Sequence, residues 1–312
     1  MEQDRNEHKS ADTSTVDNVN ADSYSNAIEI SDLRKCYDGF TLDNISFNVP
    51  KGSIMGFIGQ NGAGKSTTMK ALLNIIKTDG GSIKLLGMDH IRDERIIKES
   101  VAAVFDECPF HDSFKSKQIN IMFKGMYKNW DEKRFYDYLE RFHLPQKKKI
   151  GEFSKGMKMK MQIAAALSHG AKLLIMDEPT TGLDPVVRNE ILDIFREYLN
   201  DENNSILLSS HITSDLDKIA DCVTFIDNGK ILLTGYKDDI LESHGLMKCS
   251  KEDYEEIDRE DIISARINEY SVDIMVSDRE KMREKYLGII IEKTNLEEIM
   301  LFYVNQSKKE WS

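Results

Sequence analysis

The sequence predicts an α/β fold built on a mainly parallel sheet. Residues 53–58 form a short apolar run, which a Gly-rich turn joins to a helical pattern over 66–76. Strand, loop and helix in that order are typical of a parallel α/β unit. A second apolar run, residues 173–176, is long enough for one buried strand and ends in two adjacent acids. Carboxylates at the end of such a strand lie where ligands bind, at the carboxyl edge of a parallel sheet.

Shorter runs near the start of the folded region predict antiparallel strands. Residues 28–30 and 45–49 alternate apolar with polar positions, which indicates half-buried strands. The dipeptide Asp38-Gly39 has apolar flanks and is a typical hairpin turn. The chain therefore begins its fold with a small antiparallel subdomain.

The C-terminal part of the chain has weaker patterns. Asn228-Gly229 predicts a second hairpin. Beyond it, two strand-like runs and a final helical run predict a small αβ extension over residues 245–312, with a role in dimer contacts, in regulation, or in stability alone.

Composition excludes several classes of protein. The 312 residues carry a formal net charge of −12, which argues against binding nucleic acid through bulk positive charge. No run approaches the roughly 20 apolar residues of a membrane-spanning helix. Residues 1–26 are polar and acidic, so we expect a disordered tail there and no signal peptide. The four scattered cysteines suit a reducing compartment and fit neither a zinc site nor a disulfide framework.

The segment from about 107 to 165 is predicted to be a helical insert, in a region where residues from about 114 to 170 have a mostly helical pattern. Asp131 is a plausible helix N-cap, and Phe135, Leu139 and Phe142 follow it at helical spacing. The segment is also rich in aromatic side chains, most of which we expect in the core. These aromatic residues are Phe110, Phe114, Phe123, Tyr127 and Trp130.

A phosphate-binding loop lies between the first buried strand and its helix. Residues 59–66, GQNGAGKS, match the pattern G-x-x-x-x-G-K-[ST]. The glycines let backbone N–H groups surround phosphate oxygens, and the helix that follows points its positive dipole end at the same anion. Lys65 is predicted to reach the β- and γ-phosphates, and the Ser66 hydroxyl to bind Mg²⁺. The residues predicted to bind nucleotide here are Gly59, Asn61, Gly62, Ala63, Gly64, Lys65, Ser66 and Thr67.

The two acids after the second strand complete the predicted site. Asp177 is expected to hold Mg²⁺, directly or through water. Glu178 is one residue further and is expected to act on the attacking water as general base. Two solvated acids at a strand end are the alternative, which the phosphate loop disfavours.

With these motifs, the chain resembles the nucleotide-binding subunit of an ATP-binding-cassette (ABC) transporter of the bacterial export type. Residues 153–157, FSKGM, resemble the family's signature motif L-S-G-G-Q, and residues 177–185, DEPTTGLDP, match its Walker B strand end and D-loop. His211 matches the switch histidine. Tyr37 falls where the family places an aromatic that stacks on adenine. The resemblance covers residues 27–244.

The resemblance implies a P-loop NTPase cassette with a mainly parallel sheet core, an antiparallel β subdomain and a helical insert. The cassette would span residues 27–244, with the insert at about 107–165, between the tail 1–26 and the extension 245–312.

The resemblance also implies that two such subunits meet head to tail and sandwich two ATP molecules. Ser154 and Gly156 of one subunit would then contact the γ-phosphate of the ATP bound by the other, and Asp184 of the D-loop is a further residue expected to bind nucleotide. His211 would contact the γ-phosphate and hold the attacking water in line. The implied cofactors are ATP and Mg²⁺.

The chain departs from the family pattern at three positions. Lys155 replaces the usual glycine of the signature, and Met157 replaces the usual glutamine. Asp106 falls where the Q-loop glutamine is usual. Its carboxylate could bind Mg²⁺, or it is only an acid in a loop.

We interpret the chain as the ATP-hydrolysing subunit of a transporter, on the cytoplasmic face of the membrane. It would power export through a separate integral membrane permease, contacted by the helical insert, as a homodimer or as a heterodimer with a related chain. Nucleic acid is not an expected partner. The alternatives are a non-transport ABC ATPase acting on ribosomes or DNA, and a regulatory module that binds ATP without turnover.

Overall fold

The computed structural model describes residues 24–309, which form three sheets and surrounding helices. The strands are β1 (Asn26–Tyr37), β2 (Phe40–Pro50), β3 (Ile54–Ile58), β4 (Gly80–Leu85), β5 (Met88–Asp89), β6 (Val101–Val104), β7 (Leu173–Asp177), β8 (Ser205–Ser210), β9 (Cys222–Asp227), β10 (Lys230–Tyr236), β11 (Gly245–Cys249), β12 (Ser264–Ile267), β13 (Val272–Val276) and β14 (Ile290–Lys293).

Helices join most of these strands. The α-helices are α1 (Lys65–Leu72), α2 (Glu94–Ser100), α3 (Ser116–Met126), α4 (Glu132–Arg141), α5 (Lys155–Ser168), α6 (Pro185–Tyr198), α7 (Thr213–Ile219), α8 (Lys237–Ser243), α9 (Lys251–Glu256), α10 (Arg279–Lys285) and α11 (Leu296–Lys309), and short 3₁₀ turns occupy Ile150–Glu152 and Arg259–Asp261.

The central sheet confirms the predicted α/β fold class. Its order is β10-β9-β3-β8-β7-β6, and all neighbouring strands are parallel except β10, which pairs antiparallel with β9. Every residue of β3, β7, β8 and β9 is buried, as expected for strands covered on both faces. The carboxyl ends of β3, β7 and β8 meet at one edge, so their following loops are neighbours.

A second, antiparallel sheet packs against the central one. Its order is β2-β1-β4-β5, and its β1–β2 turn is the predicted hairpin at Asp38-Gly39. Phe47 of this sheet stacks on Phe57 of β3 with ring centres 5.1 Å apart. Strand β1 begins at Asn26, inside the range predicted as a tail, and residues 1–23 of that predicted tail lie outside the described residues.

The predicted helical segment forms α3, α4 and α5, between β6 and β7. Asp131 caps α4 by accepting a hydrogen bond from the Arg134 backbone N–H at 2.9 Å, as predicted. Phe135, Leu139 and Phe142 are all buried, which confirms the helical spacing seen in the sequence. Within residues 24–309, no helix is both long and apolar enough to cross a bilayer.

The C-terminal extension is a small αβ unit, as predicted. Its antiparallel sheet has the order β12-β13-β11-β14, and α10 packs beside β14. Helix α11 lies between this unit and the rest of the chain, since it contacts β12 as well as α7 and β9. The His244 ring nitrogen Nε2 lies 3.0 Å from the Tyr303 hydroxyl, which ties α11 to the end of the cassette.

Candidate nucleotide-binding and hydrolysis site

The phosphate loop needs glycine at two positions for different reasons. A β-carbon on Gly59 would lie 2.5 Å from the carbonyl oxygen of Ile226, so only glycine fits beside β9. Gly64 has φ +118°, and a β-carbon there would lie 2.7 Å from Leu42. The loop therefore leads into α1 at Lys65 with the first N–H groups of that helix facing the loop.

Lys65 is buried inside the loop that precedes it. Its side chain is 5% exposed, and its Nζ donates to the Gly59 carbonyl at 2.7 Å and to the Gln60 carbonyl at 3.3 Å. The same ammonium lies 3.2 Å from Glu178 Oε1. The lysine is thus held between the phosphate loop and the end of β7, where it can reach phosphate oxygens.

Ser209 fixes both acids at the end of β7. It faces Asp177 in the parallel pairing of β8 with β7, and its hydroxyl donates to Asp177 Oδ1 at 2.6 Å. The Glu178 backbone N–H donates to the same hydroxyl at 3.0 Å. Sequence reasoning missed Ser209, although its position two residues before His211 on the neighbouring strand was a usable signal.

The Glu178 carboxylate is the centre of the site. Its Oε2 accepts a hydrogen bond from the Thr181 hydroxyl at 2.7 Å and lies 2.8 Å from His211 Nδ1, and its Oε1 faces Lys65. Glu178 has φ +53°, the left-handed region that non-glycine residues seldom occupy. The structure thus brings together Glu178, His211 and Lys65, as the sequence predicts. It also places Thr181 at this carboxylate, a contact that the sequence does not predict.

An open cavity of about 410 Å³ lies over the phosphate loop. Ser66 is exposed to it and Glu178 forms one wall. Phe40 is the aromatic among its lining residues, whereas Tyr37 is half exposed at the other end of the hairpin turn, with Lys35 Nζ 5.3 Å from its ring. Adenine stacking on Tyr37 stays a prediction. Phe40 is a second aromatic residue that could contact a nucleotide in this cavity. The lining residues are Phe40, Gln60, Asn61, Gly62, Gly64, Lys65, Ser66, Thr67 and Glu178.

The remaining predicted contacts form a separate surface where two helices begin. Ser154 caps α5 by accepting from the Met157 N–H at 3.3 Å. Asp184 caps α6 by accepting from two backbone N–H groups at 3.1 Å. A β-carbon on Gly156 would lie 3.6 Å from Leu183, which places the two helix starts side by side. None of these caps lines the 410 Å³ cavity, so their nucleotide-binding role stays a prediction.

The oxygen donors present suit Mg²⁺. Within residues 24–309, no group of three or more His, Cys, Asp or Glu side chains is placed to hold a metal ion. A hydroxyl at Ser66 and a carboxylate at Asp177 are hard oxygen donors of the kind that Mg²⁺ takes alongside nucleotide phosphates. Asp106 differs from them, because its carboxylate pairs with Lys155 Nζ at 2.5 Å.

Comparisons with known proteins agree with this geometry. A sequence model of the family described as ABC transporter matches residues 42–181. The bacitracin transport ATP-binding protein BcrA of Bacillus licheniformis is 35% identical over 67% of this chain and 69% of its own length. The lantibiotic transport ATP-binding protein SrtF of Streptococcus pyogenes is 34% identical over 66% of this chain and 89% of its own.

A solved structure gives the same result. The ATP-binding subunit of an ABC transporter aligns with a TM-score of 0.63 at 27% identity, over 69% of this chain and 91% of that one. The resemblance seen in the sequence is therefore confirmed. The chain belongs to the ATP-binding subunits of ABC transporters, and it is an ATPase of that family.

Proposed function

We propose that this chain hydrolyses ATP with Glu178 as the general base and so powers export through a separate permease. The observation that carries the proposal is the triple hold on the Glu178 carboxylate by Thr181, His211 and Lys65. A carboxylate oriented in this way beside a phosphate-binding lysine is placed to take the proton of the attacking water. Lys65 would stabilise the charge that develops on the γ-phosphate, and His211 would keep the carboxylate facing the water.

Mg²⁺ would be held by the Ser66 hydroxyl and the Asp177 carboxylate. The bound ion would supply neutralisation of charge between the β- and γ-phosphates. Ser209 orients Asp177 for this task through the 2.6 Å hydrogen bond. Asp106 would have to give up Lys155 before it could serve as a further metal ligand.

We propose that two subunits close over ATP, each offering the surface formed by Ser154, Gly156 and Asp184 to the nucleotide of the other. A helix N-terminus favours an anion, and here two such termini lie together. The partner is a second copy of this chain or a related chain.

Gly156 offers a sharp test of this dimer. A β-carbon there meets only ordinary contacts, so the site accepts Gly156→Ala, and Gly156→Asp adds a charge that repels phosphate. In a Glu178→Gln background with ATP and Mg²⁺, size-exclusion chromatography should show a dimer that Gly156→Ala keeps and Gly156→Asp loses. A dimer that survives Gly156→Asp would contradict the proposed sandwich.

We propose that the permease docks in an apolar groove of about 280 Å³ between the central sheet and the helical insert. An amphipathic helix from a membrane protein suits such a groove. Of the aromatic residues singled out in the sequence, Phe110, Phe123 and Tyr127 line it. Docking there would place the subunit peripherally on the cytoplasmic face of the membrane. The other large side chains of the lining include Leu73, Ile75, Phe105 and Pro109.

The relatives' names support an antimicrobial compound as cargo. They include a bacitracin transport protein, a lantibiotic transport protein and a linearmycin resistance protein of Bacillus subtilis.

Co-purification with the permease tests the docking proposal. Tyr127→Glu should abolish capture of the membrane protein, whereas Ile91→Glu, at an exposed position outside the groove, should not. Equal capture by both variants would place the contact elsewhere.

A further inference from the structure

The two charged departures from the family pattern contact each other. Asp106 follows β6, and Lys155 is the first residue of α5, 49 positions later in the chain. Their side chains are about half exposed and form an ion pair of 2.5 Å. The family usually has glutamine and glycine at these two positions. This chain has an acid and a base there, and their charges neutralise each other.

Lys155 also reaches the loop that holds the catalytic carboxylate. A β-carbon on Gly182 would lie 3.5 Å from Lys155 Nζ and 3.7 Å from its Cδ, so the lysine side chain lies along this loop. The preceding residue, Thr181, donates to Glu178 Oε2 at 2.7 Å. A short series of contacts thus leads from Asp106 through Lys155 and the 181–182 loop to Glu178.

The other end of this series lies at the apolar groove. Phe105 and Pro109 line the groove on either side of Asp106 in sequence. If an occupant of the groove shifted the 105–109 loop, the Asp106 carboxylate and its partner Lys155 would move with it. The ion pair therefore joins the surface proposed for docking to the site proposed for hydrolysis.

We propose that the Asp106–Lys155 ion pair is a positioning pair, which sets the 181–182 loop and through it the Glu178 carboxylate. This inference rests on the proposed function of Glu178. The pair touches neither nucleotide nor water in this role, so its loss should lower kcat and leave ATP affinity unchanged. An exposed pair is worth little in isolation, so we expect about a three- to fivefold effect, reduced further by high salt.

The test is a double-mutant cycle on purified full-length protein. Lys155→Met keeps the aliphatic stem and removes the charge, and Asp106→Asn removes the partner charge with little change in shape. Each single variant, and the double, should lower kcat for phosphate release by the same three- to fivefold, with KM for ATP unchanged. Lys155→Arg should have nearly the wild-type kcat, because arginine keeps the positive charge.

A second readout follows the loop itself. Hydrogen exchange of the 178–184 peptide should be faster in Lys155→Met than in wild type when both are free of nucleotide. The matched control is a neighbouring ion pair, in which Lys158 of α5 lies 3.2 Å from Asp112. Among the residues that the structure describes, this pair has no ion pair or hydrogen bond to that loop. Lys158→Met should leave both kcat and loop exchange unchanged.

The contrary results are distinct. If Asp106 acts only as a metal ligand, Asp106→Asn raises the Mg²⁺ concentration needed for half-maximal activity while Lys155→Met is silent, and the inference fails. Additive losses in the double variant, or unchanged loop exchange, also overturn it. A Glu178→Gln variant as active as wild type would instead overturn the proposed function, so the two failures are distinguishable.

Discussion

Ser209 donates its hydroxyl hydrogen to Asp177 Oδ1 across the paired strands β8 and β7, over 2.6 Å. Both residues are buried, and the same hydroxyl accepts the Glu178 backbone N–H. One buried serine therefore orients the predicted metal ligand and anchors the backbone of the proposed general base. Strand pairing places it there, since Ser209 is the register partner of Asp177.

We predict that Ser209→Ala lowers the ATPase kcat about tenfold and raises the Mg²⁺ concentration needed for half-maximal activity. The substitution leaves a buried carboxylate oxygen without its donor, so the free energy of unfolding should also fall by about 1–3 kcal/mol. Activity assays across a Mg²⁺ series and urea unfolding measure the two effects. Ser168→Ala is the control, because that buried hydroxyl donates to the Ala164 carbonyl of its own helix, away from the acids at the end of β7. An unchanged Mg²⁺ requirement in Ser209→Ala would contradict the assigned role.

Thr181 should matter for turnover more than for nucleotide binding. Thr181→Val has nearly the same shape but cannot donate to Glu178 Oε2, so we expect kcat to fall about 10- to 100-fold, the cost of one hydrogen bond to a charged group. Thr181→Ser keeps the donor and should retain most of the activity. Phosphate release at saturating ATP compares the three proteins. Equal kcat for valine and wild type would show that His211 and Lys65 orient Glu178 without the threonine.

Gly229 links the β9–β10 hairpin to the phosphate loop. Its N–H donates to the Ala63 carbonyl at 2.9 Å, and its carbonyl accepts from the Asp43 N–H at the same distance. A β-carbon there would lie 1.9 Å from the Thr41 carbonyl oxygen, and its φ is +74°. We therefore predict that Gly229→Ala destabilises the protein by at least about 1 kcal/mol and weakens ATP binding.

Thermal unfolding and nucleotide titration measure this effect. Gly125→Ala is the matched control: Gly125 lies in α3 with open space around it, so alanine there should stabilise by about 0.5–1 kcal/mol and leave ATP binding unchanged. Equal behaviour of the two alanine variants would show that the hairpin does not hold the loop.

His169 makes the stability of the protein sensitive to acid. The ring is 2% exposed and stacks on Tyr127 with ring centres 4.2 Å apart, and burial lowers the pKa of His169 from 6.5 to about 4. Between these two pH values the unfolded chain takes up a proton that the folded chain does not. The contribution is therefore complete above pH 6.5 and is lost as the pH falls toward 4, by at most about 3 kcal/mol.

Urea unfolding at pH 7.5 and pH 5 measures this dependence. His169→Phe keeps an aromatic ring against Tyr127 and removes the titrating group, so its stability should change less between the two pH values. Burial also lowers the pKa of His244, which leaves a residual dependence of the same sign in the variant. An identical loss of stability in both proteins would assign the acid sensitivity to other groups.

The features that the sequence predicts well are those fixed by local pattern. The phosphate loop needs glycine at 59 and 64 because of close approaches and a positive φ, so its motif is read without knowledge of the fold. The central sheet follows from apolar runs of strand length. Glu178 and His211 come together because each follows a parallel strand at the same sheet edge.

The features that the sequence does not predict depend on register and on long-range packing. Ser209 is one of several serines in the chain, and only its pairing with Asp177 gives it a role. Asp106 and Lys155 are each visible as departures, but their contact depends on how α5 packs beside β6. The packing of α11 against α7 likewise has no local signal.

The most direct test of the account is phosphate release by purified wild-type protein and Glu178→Gln at saturating ATP and Mg²⁺. The glutamine keeps the shape and can still bond to Thr181, but it cannot accept a proton from water. We predict that steady-state release falls by at least about 100-fold while ATP binding is retained. Equal release by the two proteins would contradict the assignment of Glu178 as general base, on which the account depends.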